Sequence, residues 1–106
     1  MSKLTQFGHS FQVKIITVLI TDRDFLQQSF DMVSPDYFDN DASKWIIKNT
    51  LTYYNKYKTI PTMEVFKIEV DKIKNEVQGV AAKELLKEVY KSSKSNDLEF
   101  VKNTFL

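Results

Sequence analysis

The stretch Phe11-Gln12-Val13-Lys14-Ile15-Ile16-Thr17-Val18-Leu19-Ile20-Thr21-Asp22 decides the architecture of this chain. Its apolar residues recur with a helical period: Phe11, Ile15, Val18 and Leu19 fall on one stripe, and Val13, Ile16 and Ile20 on a second side. Ser10 reads as the N-cap, and Lys14 and Thr17 as the remaining polar edge. A helix that is apolar on two sides must be covered from two sides, so the stretch predicts an all-α bundle built around it. It does not predict a membrane span: Lys14 and Thr17 interrupt it and a bilayer needs about 20 apolar residues. Nor is it a signal sequence, because it runs into the charged Asp22-Arg23-Asp24 rather than a small-residue cleavage site.

Five further helices follow outward from it. Asp22 is placed to cap a short second helix carrying Phe25, Leu26, Phe30 and Val33. Ser34-Pro35 then reads as a cap with proline at the first position of a single turn through Tyr37-Phe38. Asp39-Asn40-Asp41 opens a long third helix with Ala42, Trp45, Ile46, Asn49, Tyr53 and Tyr57 on one face, and Trp45 is expected in the core with Ile15, Leu19 and Phe38. Ile60-Pro61 ends that helix and Thr62 caps a fourth, with Met63, Phe66, Val70, Ile73 and Val77 along a narrow stripe. Gln78-Gly79 is read as the break before a fifth helix over 80–91, and Asn96-x-x-Glu99 as the capping box of a sixth. The expected division is an N-terminal arm over 1–9, a globular head over 10–78 and a helical hairpin over 79–106. The sixth helix reaches Phe105-Leu106 with no C-cap signal, which reads as a domain cut from a longer protein.

Composition agrees with one small helical core. The 106 residues are 42% apolar and 13% aromatic with only two glycines and two prolines, too few for the turns of an all-β chain. The absence of cysteine excludes disulfides and thiolate metal sites. Fifteen basic against fourteen acidic residues give a formal charge of +1, without the cationic excess of a dedicated nucleic-acid module. A cytoplasmic protein without membrane attachment is expected.

Few residues point to chemistry. With Gly8 and Gly79 the only glycines, no phosphate-cradling loop can be built, and no nucleophile, base and acid share a credible placement, so no catalytic and no cofactor residues are expected. His9, the only histidine, reads as a solvated residue before the first cap. Asp36, Asp39 and Asp41 lack the glycine and distal glutamate of a calcium loop and suit a helix start, so no metal is expected either. Lys83, Lys87, Lys91 and Lys94 recur at helical spacing; they read as a solvated face, with DNA phosphate or an acidic partner as the alternative. The last two helices carry Leu85, Leu86, Val89, Tyr90, Leu98, Phe100, Val101 and Phe105, more apolar surface than a short hairpin can bury alone. Either the hairpin folds back onto the first and third helices, or these residues form an interface between copies; Phe100 lies off the Leu98, Val101, Phe105 stripe and argues for a second contact surface.

The order of segments resembles a known family. An apolar opening helix ending in Ile20-Thr21-Asp22 is followed by Phe25-Leu26, then Ser34-Pro35-Asp36-Tyr37-Phe38-Asp39. Next come a helix closing on Tyr53-Tyr54-Asn55-Lys56-Tyr57 and Ile60-Pro61-Thr62 before an amphipathic helix. Over residues 11–77 this is similar to the N-terminal domain of the DnaB-like hexameric replicative helicases, most of all those of large tailed phages, and 80–106 matches the start of the hairpin that follows the head. The resemblance implies a non-catalytic domain that assembles the helicase into a hexamer and docks a primase or helicase loader. ATP, Mg and DNA unwinding would belong to a motor domain beyond these residues, with DNA held in the parent complex. The competing expectation is a free-standing small adaptor that binds protein or nucleic acid through its basic fifth helix.

Overall fold

Eight of the thirteen residues of the first helix, α1 (His9–Thr21), are buried, and the other helices are arranged by the need to cover them. The computed structural model describes Leu4 and residues 6–105. Among these the chain is all-helical: α1, α2 (Arg23–Ser29), a single 3₁₀ turn (Pro35–Tyr37), α3 (Asp41–Tyr57), α4 (Met63–Asp71), α5 (Glu76–Ser92) and α6 (Leu98–Phe105). α5 packs along both α1 and α3, α6 and α2 pack on α1, and α4 leans on α5.

Local chemistry fixes the corners. The Asp22 carboxylate accepts from Phe25 N–H at 3.0 Å and starts α2; Ser34 Oγ accepts from Asp36 N–H and starts the 3₁₀ turn. Asn40, Thr62 and Asn75 cap α3, α4 and α5 in the same way. α3 ends where Lys58 adopts the left-handed conformation (φ 59°) and returns its N–H to Tyr54 C=O; the Lys58 carbonyl accepts from Arg23. Phe38, at the corner before α3, is completely buried.

Several expectations are corrected. α1 begins at His9 with Gly8 in the N-cap position, so Ser10 lies inside the helix. Thr17 is no polar edge: it is buried, and its hydroxyl donates to Val13 C=O at 2.8 Å and to Val89 C=O at 3.1 Å. Trp45 is only half-buried against the core. The break between the fourth and fifth helices falls at 72–75 rather than at Gln78-Gly79. Glycine inside a helix costs about 1 kcal/mol relative to alanine, too little to outweigh the Asn75 cap and the buried Ala82, Leu85, Leu86 and Val89 beyond it. Val77 therefore belongs to α5 and is 78% exposed instead of lining the α4 stripe. α6 takes its first helical hydrogen bond from Val101 N–H to Asp97 C=O, one residue later than a cap at Asn96 requires.

Of the two arrangements open for the C-terminal helices, the chain adopts the folded-back one. Its radius of gyration of 12.8 Å equals the roughly 13 Å of a single domain of about 100 residues. Two ion pairs clamp α6 to α1: Lys14 Nζ reaches Asp97 at 2.7 Å, and Lys102 Nζ reaches Asp22, at the other end of α1, at 2.9 Å. The N-terminal segment is tied down too. Leu4 is buried and donates its N–H to Tyr37 C=O, Phe7 stacks on Phe11, and the buried Gln12 amide donates to Leu4 C=O, Phe7 C=O and the Asp39 carboxylate. Residues 1–3, Thr5 and Leu106 lie outside the described residues, and with them parts of the expected arm and of the unended C-terminus.

Candidate partner-docking groove

α5 presents two different sides to solvent because its contact with α1 and α3 takes up the third. Val77, Ala81, Glu84 and Glu88, spaced by four, three and four residues, follow one side toward the N-terminal ends of α3 and α1. There they meet Asn40, Asp41, Ala42 and Trp45 of α3, His9 of α1 and Ile73 from the α4–α5 connection, enclosing a groove of about 570 Å³. Its floor is apolar: Ala42, Trp45, Ile73, Val77, Ala81 and Leu85. Its rim carries three carboxylates, Asp41, Glu84 and Glu88, and His9 Nε2 lies 3.1 Å from both Glu88 oxygens. His9 is exposed, as expected of a solvated residue, and it is the first residue of α1 with its ring beside Glu88 of α5.

On the other side of α5, Lys83 and Lys87 face Lys67 of α4 across a groove of about 490 Å³ floored by Met63, Val70 and Leu86, with Asp71 as its one acidic residue. Lys91 and Lys94 are exposed but do not line it, and Lys94 lies beyond the end of α5. The four lysines therefore do not act as one stripe: two border an apolar groove and two are solvated. Lys87 also stands 3.8 Å from Glu84, a weak surface pair.

The expected interface residues divide sharply. Leu85, Leu86, Val89 and Val101 are buried within the chain's own core, which removes them as anchors for a second molecule. Tyr90, Leu98 and Phe105 are half-buried against the same core; Phe105 meets Phe25 with ring centroids 6.0 Å apart, and burial pushes the Tyr90 phenol above its ordinary pKa. Phe100 alone of the set points outward, 65% exposed on the far face of α6. α1 covers both helices and α3 covers α5, which is the folded-back arrangement of the two left open.

Electrostatics concentrates at the α1–α6 seam. Hydrogen bonds from Lys102 and from Phe25 N–H hold the Asp22 carboxyl below its usual range, and Lys14 does the same for Asp97. Glu99, then Asp22, push the Lys102 ammonium up. These are fastenings between helices rather than a reactive cluster. Among the described residues no three His, Asp or Glu side chains are grouped to hold a metal, and no helix is long and apolar enough to cross a membrane.

The groove beside Trp45 is not legible in the sequence because its walls come from α1, α3 and α5, which only the tertiary packing brings together. Once α5 begins at Glu76, the 77, 81, 84, 88 spacing puts two apolar and two acidic residues in one row, which was the available signal. In comparisons with known proteins, the chain matches no family model, no curated protein and no solved structure.

Proposed function

We propose that this chain is the non-catalytic head of a DnaB-like replicative helicase, working in ring assembly and in docking a primase or loader. The observation that carries the reading is that the segments bearing the family resemblance are the turning points of the fold. Thr21-Asp22 makes the α1–α2 corner through the Asp22 cap, and Ser34 to Asp39 makes the corner that buries Phe38 and ends on the Gln12 hydrogen bond. Ile60-Pro61-Thr62 makes the α3–α4 corner through the Thr62 cap. Residues that direct the chain rather than react are what such a head shares. Exposed Phe100 and the groove at Trp45 are its free contact surfaces, while ATP, Mg and strand separation belong to a motor domain on the same reading.

The test uses the full gene product. It is expected to sediment as a hexamer with DNA-stimulated ATPase activity, and Phe100→Asp, at an exposed position, is expected to shift it toward smaller species while the far-ultraviolet circular dichroism stays helical. A product without ATPase activity, or a hexamer indifferent to Phe100→Asp together with removal of residues 98–105, would overturn the reading. The adaptor alternative draws on Lys67 joining Lys83 and Lys87 at the second groove, and a gene product lacking a motor domain would select it.

A further inference from the structure

We propose that the groove between α1, α3 and α5 binds a basic amphipathic helix of a partner protein, with Trp45 as its apolar platform and Asp41, Glu84 and Glu88 as its charge readers. The proposal rests on the docking role above and specifies its chemistry. The floor sets the first requirement. Leu85 closes the bottom of the groove and is itself buried, so the apolar surface open to a partner is that of Val77 and Ala81, four residues apart on α5, with Ala42 and Trp45 of α3 opposite them.

The backbone of the walls sets the second. Trp45 of α3 and the α5 wall from Ala81 to Glu88 lie inside their helices, where N–H and C=O groups are paired along the axis, so along that stretch an extended segment would find no backbone partners; only the first turns at His9, Asp41 and Val77 and the connection at Ile73 lie outside helix interior. A helix arrives with its backbone satisfied. The rim sets the third: no lysine or arginine lines the groove, and of its three carboxylates Glu88 faces its one basic group, His9, while Glu84 is paired only weakly with Lys87 outside it. The opposite groove on α5, bordered by Lys67, Lys83 and Lys87, has the reverse charge and would repel the same ligand.

Trp45 is the only tryptophan in the chain and lines the groove, so binding reports itself by fluorescence. The probes are two short synthetic helices without tryptophan, both with leucine at i, i+3, i+4 and i+7, one carrying lysine and the other glutamate at the remaining positions. The lysine peptide is expected to shift Trp45 emission to the blue and to saturate. The glutamate peptide should bind at least roughly tenfold more weakly, as expected of an apolar trough read by several partly exposed charges. Glu84→Lys with Glu88→Lys, at two exposed positions, should reverse that order, whereas Lys67→Glu with Lys83→Glu should leave it alone. Equal binding of both peptides, or a preference unchanged by the Glu84 and Glu88 reversal, would overturn the proposal. So would a Trp45 shift that saturates with protein concentration alone, which would give the groove to a second copy. None of these results bears on the hexamer and ATPase test of the full gene product, so the two failures are distinguishable.

Discussion

Replacing Thr17 by valine tests whether α1 is wrapped on all sides. The exchange keeps nearly the same shape, removes one hydroxyl and leaves helix propensity almost unchanged. Thr17 is completely buried, and its Oγ donates across the helix interface to the Val89 carbonyl at 3.1 Å. Val89 belongs to the last turn of α5, where carbonyls lack an intrahelical partner; Ser93 N–H, the residue four further on, bonds to Tyr90 C=O instead. Thr17 therefore caps the end of α5 from the side. The hydroxyl has one proton, shared with Val13 C=O, so the loss is that of a divided bond plus a carbonyl left unsatisfied in an apolar place. We expect Thr17→Val to cost roughly 1–2 kcal/mol, from the range of about 1–3 kcal/mol for orphaning a buried acceptor. Urea unfolding followed by circular dichroism and by Trp45 fluorescence should show a lower midpoint at unchanged slope. Thr17→Ser, which keeps the hydroxyl, should fall between the two. If Thr17→Val matched or exceeded the parent, position 17 would be a solvent-facing edge and the placement of α5 on α1 would be wrong.

Acid should loosen α6 first. Asp22 and Asp97 are held below the usual carboxyl value of 3.8 by Lys102 and Lys14, so their contribution is complete above that pH and is lost as pH falls through their lowered values. The raised Lys102 contributes fully below 10.5 and loses its share only as pH climbs beyond that. Nuclear magnetic resonance on acidification should therefore show α6 signals leaving their native positions before those of α3, and Asp97→Asn should remove part of that pH dependence; simultaneous loss would contradict the clamp. Gly79→Ala should raise stability by about 1 kcal/mol, because Gly79 sits inside α5 with ordinary backbone angles and an added methyl would meet nothing within 4 Å. A lower melting temperature for that variant would return the helix break to Gly79.

Helix number, order and most corners could be read from the chain because each rests on short-range chemistry: Asp22, Ser34, Asn40 or its neighbours, and Thr62 cap within three residues of themselves. What escaped reading depends on partners far away in sequence. Thr17 is polar, and only the arrival of Val89 makes its interior position satisfactory; Gln12 is buried because the Leu4, Phe7 and Asp39 acceptors converge on it. The α4–α5 boundary differs from the sequence expectation because the Asn75 cap and the buried face of α5 outweigh one glycine at position 79. That shift moves Val77 from the α4 stripe to α5, and the groove itself depends on α1 and α3 arriving beside it. The apolar surplus of the last two helices is visible in the sequence, but whether the same chain or another covers it depends on α1 and α3, far away along the chain.

The position of α1 carries a consequence for how the protein is made. Its burial is completed by α5 and α6, through contacts such as Thr17 with Val89 and Lys14 with Asp97 that span 72 and 83 residues. At about 5–20 residues per second, the ribosome needs roughly 4–17 s to synthesise the chain between the ends of the longer contact. During that interval the segment from Val13 to Ile20, rich in β-branched side chains that favour helix only weakly, has been made without the surfaces that bury it. A nascent chain of this protein therefore carries its most adhesive stretch without its final cover until nearly the last residue described here is available.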